Sequence, residues 1–293
     1  MGELIERKEK KDMGESLISK IAKGELVAIQ QDGDYIKDGL LYCGKCDTPK
    51  EYRLSKPFMG IEKGAILCEC EEKADEERRK RQENLALAEF RDKQRTLGLG
   101  KRMFQDYTFA NDDRKNKKIS KLAINYANNW EKVEEKKIGL LFYGDIGTGK
   151  TFYAVAIANQ LIDQNKSVKV TTIAEATARM QTFNAEERQV FLDEIIRSDL
   201  LVIDDIGAER DTSFGLEQAF MIIDARYNSN KPMIATTNCS IEELTNPENI
   251  AYKRIYDRVL EMCNLKIKVD GKTRRESLAS EKTNDLLDIL GMK

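Results

Sequence analysis

Residues 144–151 read Gly-Asp-Ile-Gly-Thr-Gly-Lys-Thr, and no other stretch constrains the fold of this chain as tightly. The apolar run IGLLFYG (138–144) precedes it and the helix-forming TFYAVAIANQLID (151–163) follows. A glycine-rich turn at that junction leaves backbone N–H groups converging at a helix N-terminus, where they attract phosphate oxygens. The fixed positions match GxxxxGK[ST], so the segment predicts a triphosphate cradle built from Gly144, Asp145, Ile146, Gly147, Thr148, Gly149, Lys150 and Thr151. With ATP or ADP as the nucleotide, Lys150 is expected at the β- and γ-phosphates and Thr151 on Mg²⁺. The alternative is a chance glycine-rich turn, which a matching acidic strand downstream would argue against.

Such a strand exists. Leu200-Leu201-Val202-Ile203-Asp204-Asp205 is four apolar residues ending in two acids. Ligands of parallel sheets bind at the carboxyl ends of strands, so Asp204 is expected to hold Mg²⁺ and Asp205 to orient an attacking water. Around these motifs, strand-like and helical segments alternate. The strands are 138–144, 167–173, 199–207, 232–238 and 265–269, and the helices are 151–163, 174–197 with a polar break, 213–228 and 250–262. That order predicts an α/β fold, a P-loop NTPase with a parallel sheet covered by helices on both faces. Before it, Ile119, Leu122, Ala123, Tyr126, Ala127, Trp130 and Val133 recur at helical spacing and predict one helix of about six turns with Trp130 in the core.

Composition removes several chemistries. The 293 residues include no histidine, which excludes an imidazole base. The 49 basic and 51 acidic residues nearly cancel, so nucleic-acid contact must come from local patches such as Lys101-Arg102, Arg114 to Lys118, and Lys136-Lys137. No apolar run reaches the roughly 18 residues of a membrane helix, and the polar opening MGELIERKEKKDMGES lacks a signal-peptide core. No membrane association and a cytoplasmic location are the expectation.

Four of the six cysteines form a second constellation, Cys43-x-x-Cys46 and Cys68-x-Cys70. Without histidine, a tetrahedral site must use thiolates, and four of them around Zn²⁺ are the natural reading. A small loop-rich module would gain from the metal the stability that its apolar burial cannot supply. Free buried cysteines or two disulfides are the alternatives. Cys239 and Cys263 lie outside this group and are expected to be small buried hydrophobes. Residues 1–40 suggest a helical start followed by an extended stretch. Residues 71–95 read as a polar helix with Asp75–Arg79, Glu76–Lys80 and Glu77–Arg81 at i,i+4. The resulting organisation is 1–75 as an N-terminal zinc module, 76–98 as a helical linker and 99–293 as the nucleotide-binding domain.

Over roughly residues 100–276 the chain resembles AAA+ ATPases of the DnaC/IstB-like group. The resemblance rests on GDIGTGKT, LLVIDDIGAE, IIDARYNSNKPMIATTN, KRIYDRVLE and DGKTRRES. It implies an ATPase, slow and stimulated by partner or DNA, that self-associates through its AAA+ domain. It implies loading of a DnaB-type replicative hexameric helicase onto single-stranded DNA, with the zinc module gripping the helicase. A transposition helper of the IstB type, or a nucleotide-switched adaptor with little hydrolysis, are the competing readings. The resemblance further makes Asn238 the sensor-1 residue, or else an Asn in a strand-to-loop turn. It makes Arg258 the arginine finger, with Arg254 second to it, unless Arg258 is a surface residue paired with Asp257 or Glu261. Arg275 becomes sensor 2, with Arg274 able to exchange places. The chain departs from the wider AAA+ pattern in having Asp-Asp rather than Asp-Glu at 204–205, and about 18 residues after Arg275, fewer than a helical lid needs.

Overall fold

The computed structural model describes residues 28–58, 61–207 and 212–271, with isolated positions 273, 283, 286, 289 and 290. The chain divides into two compact units, Met1–Ala86 and Leu87–Lys293. The helical start expected in residues 1–40 falls at 1–27, outside the described residues.

In the first unit, β1 (Tyr35–Lys37) pairs antiparallel with β2 (Leu40–Tyr42), and β3 (Glu51–Phe58) with β4 (Ile61–Ala65). Among the described residues the buried apolar side chains here are Leu41, Cys43 and Cys68. A core of that size is far below what a unit held only by hydrophobic burial requires. Helix α1 (Glu69–Lys93) has no buried residue at all. Glu76 and Lys80 form the expected i,i+4 pair at 2.7 Å, whereas Asp75 takes Arg78 at 3.0 Å instead of Arg79.

The second unit runs α2 (Lys117–Asn128), α3 (Trp130–Lys136), β5 (Leu140–Tyr143), α4 (Lys150–Asp163), β6 (Val168–Thr172), α5 (Ile173–Thr182) and α6 (Ala185–Arg197). It continues with β7 (Leu200–Ile206), α7 (Ser213–Ser229), β8 (Met233–Thr237), α8 (Ile241–Thr245), α9 (Ile250–Met262) and β9 (Leu265–Lys268). The five strands from β5 to β9 form one parallel sheet in the order β6-β7-β8-β5-β9. Strand alternation divides the core. Leu140, Phe142, Leu200 and Val202 face a layer containing α2, α3 and α4, while Leu141, Leu201 and Ile203 face a layer containing α5, α6, α7 and α9. The edge strand β6 is covered by a π-helical turn at Gln94–Gly98, whose Gln94 Oε1 accepts the Val168 N–H at 2.9 Å. No described helix is long and apolar enough to cross a membrane.

One helix expectation is corrected. The single helix expected through 119–133 is two helices broken at Asn129, whose φ of −105° and ψ of 30° leave the helical region. Its side-chain amide donates to Asn125 O at 2.8 Å and satisfies a terminal carbonyl of α2. The apolar spacing survives the break because both pieces pack on the same layer. Trp130 is 2% exposed and meets Tyr126 edge-on, as expected of a core residue.

Candidate functional site

The glycine-rich loop closes onto α4 through backbone that only glycine adopts readily. Gly149 has φ +99° as it opens the helix, and Gly147 has φ +82°. A β-carbon on Gly147 would also lie 2.2 Å from Thr273 Oγ1, so the chain just before Arg274 and Arg275 packs against the loop. Arg274 and Arg275 themselves lie outside the described residues. Thr148 Oγ1 donates to Asp145 O at 2.9 Å and tightens the turn, while Ile146 projects outward at 63% exposure. Lys150 is buried and its Nζ donates to Gly144 O at 2.8 Å, Asp145 O at 2.7 Å and Asn238 Oδ1 at 2.7 Å.

Sheet order explains that last contact. Strand β8 lies between β5, which feeds the loop, and β7, which carries the acids. Asn238 follows β8 directly and therefore falls between them. The structure brings Lys150, Thr151, Asp204 and Asn238 into one hydrogen-bonded neighbourhood at the carboxyl edge of the sheet. Thr151 Oγ1 donates to Asp204 Oδ1 at 2.8 Å. Two adjacent ligands of an octahedral ion at about 2.1 Å from each lie about 3 Å apart, so this oxygen pair fits Mg²⁺.

The two acids differ. Asp204 is buried, and burial pushes its carboxyl above the usual range while bonds from Thr236 and Thr151 oppose the shift. Asp205 has φ +57°, and the β7–β8 register slips by one residue between Ile203 and Ile206. This bulge turns Asp205 away from the alternation that buries its neighbours. Thr236 on β8 secures both. Its Oγ1 donates to Asp204 Oδ1 at 2.6 Å and accepts the Asp205 N–H at 3.0 Å. Sequence reasoning did not single out Thr236. Its only signal was a second hydroxyl beside Thr237 at the end of a buried strand.

Arg226, also not singled out, is fully buried. Its guanidinium donates to the carbonyls of Ile195 and Ser198 at 2.8 Å, to Asp199 O at 3.0 Å and to Pro232 O. It thus ties the end of α6 to the entrances of β7 and β8, and burial lowers it to about 10. Arg258 lies on α9. Its Nε donates to Asp224 Oδ1 at 2.8 Å, so its partner is neither Asp257 nor Glu261. Arg254, one turn earlier, stacks on Phe220.

In the first unit the sulfurs of Cys43, Cys46, Cys68 and Cys70 all lie within 4.8 Å of one another. Four thiolates about 2.3 Å from one zinc would stand about 3.8 Å apart, so the group has the size of a tetrahedral site. Cys43 and Cys46 flank a turn closed by Asp47 N–H to Cys43 O at 3.0 Å. Cys68 immediately precedes α1 and Cys70 lies in its first turn; the Cys68 contact lowers the Cys70 thiol, but its contacts with Cys43 and Cys46 outweigh this and raise it. A contact from the Thr48 hydroxyl lowers Cys46 to about 6, whereas burial pushes the Cys68 thiol up, a penalty that a bound cation would relieve.

An outer network joins the two cysteine pairs. Lys50, 3% exposed, contacts Asp34 Oδ2 and Glu71 Oε1, both at 3.0 Å. Asp34 Oδ1 accepts Gly44 N–H inside the first pair at 3.0 Å, and Glu71 Oε2 accepts Cys68 N–H of the second at 3.2 Å. Outer partners of this kind fix the orientation of metal ligands.

A sequence family described as "IstB-like ATP binding protein" matches residues 64–281. Among curated relatives, the replicative helicase loader DnaC of Escherichia coli (strain K12) is 34% identical over 122 residues, 41% of this chain and 49% of that protein. The replicative helicase loader DnaI of Bacillus subtilis (strain 168) is 28% identical over 148 residues, 47% of each. The chain thus spans about half the length of these relatives. Among solved structures, that titled "Crystal structure of the DnaC helicase loader" aligns with a TM-score of 0.49 and 24% identity, covering 58% of this chain and 100% of that one.

Proposed function

The chain belongs to the IstB-like ATP-binding family, and from that premise we propose that it is an ATPase that loads a replicative hexameric helicase onto single-stranded DNA. The observation that carries the catalytic half is the convergence of Lys150, Thr151, Asp204 and Asn238 at one sheet edge. The loading half is supported by relatives that are named replicative helicase loaders.

In this reading the loop N–H groups and Lys150 grip the triphosphate, and Thr151 and Asp204 hold Mg²⁺. When bound there, Mg²⁺ would supply charge neutralisation at the phosphates. Asp205, turned outward by the bulge, orients water for in-line attack on the γ-phosphorus. Asn238, next to Lys150, donates its amide N–H to a γ-phosphate oxygen or to that water. ADP leaves as the P–O bond to the β-phosphate oxygen breaks, and phosphate is the second product. Arg258 acts on the nucleotide of a second copy, and Arg275, or Arg274, on its own. Cys43, Cys46, Cys68 and Cys70 hold Zn²⁺, and residues 1–75 dock on the helicase, with 76–98 as linker and 99–293 as the ATPase domain. The working compartment is the cytoplasm.

Two variants test whether turnover matters. Asp205→Asn should bind ATP yet fail to load helicase in a single-stranded DNA unwinding assay, and Lys150→Ala should fail at both. If Asp205→Asn loads normally while Lys150→Ala does not, the nucleotide is a binding switch and the hydrolytic reading is wrong. Capture of a transposase instead of a hexameric helicase from the native host would favour the transposition helper.

A further inference from the structure

Helices α7 and α9 meet along two matched stripes. Phe220, Asp224 and Tyr227 occupy one face of α7 at i, i+4 and i+7, and Arg254, Arg258 and Glu261 repeat that spacing on α9. The stripes interlock residue by residue. The guanidinium groups of Arg254 and Arg258 lie 4.4 Å and 4.5 Å from the centroid of the Phe220 ring. Arg258 is also 5.4 Å from the Tyr227 ring, and its Nε donates to Asp224 Oδ1 at 2.8 Å. The other Asp224 oxygen is fixed by Asn228 Nδ2 at 3.0 Å, and the Tyr227 hydroxyl donates to Glu261 Oε1 at 3.0 Å.

This is more structure than a solvated surface arginine needs. One carboxylate in water leaves such a side chain largely free, whereas Arg258 is held by a fixed carboxylate and two aromatic faces. Asp224 engages Nε alone. Nη1 reaches the Arg254 carbonyl at 3.3 Å, and Nη2 has no hydrogen-bond acceptor among the described residues. The Arg258 side chain keeps 29% of its surface exposed. A planar fork held by its inner edge is already ordered when an anion arrives, so little rotamer freedom remains to be lost.

We propose that Phe220 and Asp224 are positioning residues that hold Arg258 with its outer edge directed at the triphosphate bound by a second copy of this chain. The inference rests on the reading of Arg258 as a cation acting in trans. Phe220 sets the plane of the guanidinium and Asp224 sets its rotation within that plane. Neither touches nucleotide.

The test uses the full chain at assembling concentrations with single-stranded DNA and saturating Mg²⁺, reading kcat and KM for ATP. Asp224→Asn and Phe220→Leu should each lower kcat by roughly tenfold to a hundredfold with KM little changed, the signature of a misaimed group. The Arg258→Ala/Asp224→Asn double variant should match Arg258→Ala alone. Mixing Asp224→Asn chains with Lys150→Ala chains should raise turnover above the sum of the two, because each supplies what the other lacks.

If Arg258→Ala is impaired while Asp224→Asn and Phe220→Leu turn over normally, positioning is overturned and the trans-acting arginine stands. If Arg258→Ala turns over as the unaltered chain does, that reading fails and takes the proposal with it. A further loss from Asp224→Asn in the Arg258→Ala background, or no gain on mixing, would mean that Asp224 serves the fold alone and would also overturn it.

Discussion

Replacing Thr236 with valine keeps the shape of a buried β-branched side chain and deletes its hydroxyl. Two bonds vanish, the 2.6 Å donation to Asp204 Oδ1 and the 3.0 Å acceptance from Asp205 N–H. The first is directed at a carboxylate, for which about 1.5–3 kcal/mol is typical. Losing it removes one of the two bonds that oppose the upward push of burial on Asp204, so the carboxylate proposed to hold Mg²⁺ becomes harder to ionise. If that energy is lost at the metal site, the Mg²⁺ concentration needed for half-maximal nucleotide binding rises by roughly tenfold to a hundredfold. The unpaired Asp205 amide adds a stability loss of about 1–3 kcal/mol. Titration of MgCl₂ against a fluorescent ATP analogue measures the first effect and thermal unfolding the second. Thr236→Ser, which keeps the hydroxyl, should recover most of the Mg²⁺ sensitivity. An unchanged Mg²⁺ midpoint in Thr236→Val, with or without a lower Tm, would refute the link between this hydroxyl and the metal site.

Three further outcomes are expected. Arg226→Met removes the donor shared by the Ile195, Ser198, Asp199 and Pro232 carbonyls and should destabilise the second unit by about 3–5 kcal/mol in a denaturant melt; a change below about 1 kcal/mol would contradict the clamp. Cys68→Ser should reduce bound zinc, measured by atomic emission on the purified chain, from about one ion per chain to a trace, as four-thiolate coordination requires. Lys50→Met should keep the four thiols yet weaken zinc binding by about tenfold to a hundredfold in a chelator competition. Equal affinity would show that the Asp34–Lys50–Glu71 network does not organise the cysteines.

What the sequence revealed was local. The glycine-rich loop is a short contiguous signal whose geometry is set within a few residues, and each cysteine pair is equally local, but the 21 residues between Cys46 and Cys68 left the meeting of the two pairs to the fold. The alternation of strand-like with helical segments foretold the parallel sheet. Less accessible were contacts between elements. Thr236 reaches Asp204 across 32 positions of sequence, and Arg258 finds Asp224 across 34 rather than its neighbours Asp257 or Glu261. Both depend on which strands and helices lie side by side, which periodicity does not specify. Arg226 was hidden for another reason. An arginine inside an otherwise ordinary helix reads as solvated, and only the carbonyls gathered around it from the end of α6 and the entrances of β7 and β8 show that it is interior. The break at Asn129 is not legible in the sequence because apolar spacing continues through it while the backbone changes direction.

In the proposed function, the turn opening α4 grips a triphosphate whose metal ion is held from β7. This grip is tested most directly by equilibrium binding of a fluorescent ATP analogue to the full chain, with Mg²⁺ and with EDTA, for the unaltered protein and for Lys150→Ala. Saturable binding that needs Mg²⁺ and weakens at least about tenfold in Lys150→Ala is expected. Binding of equal strength in EDTA, or in Lys150→Ala, would contradict it.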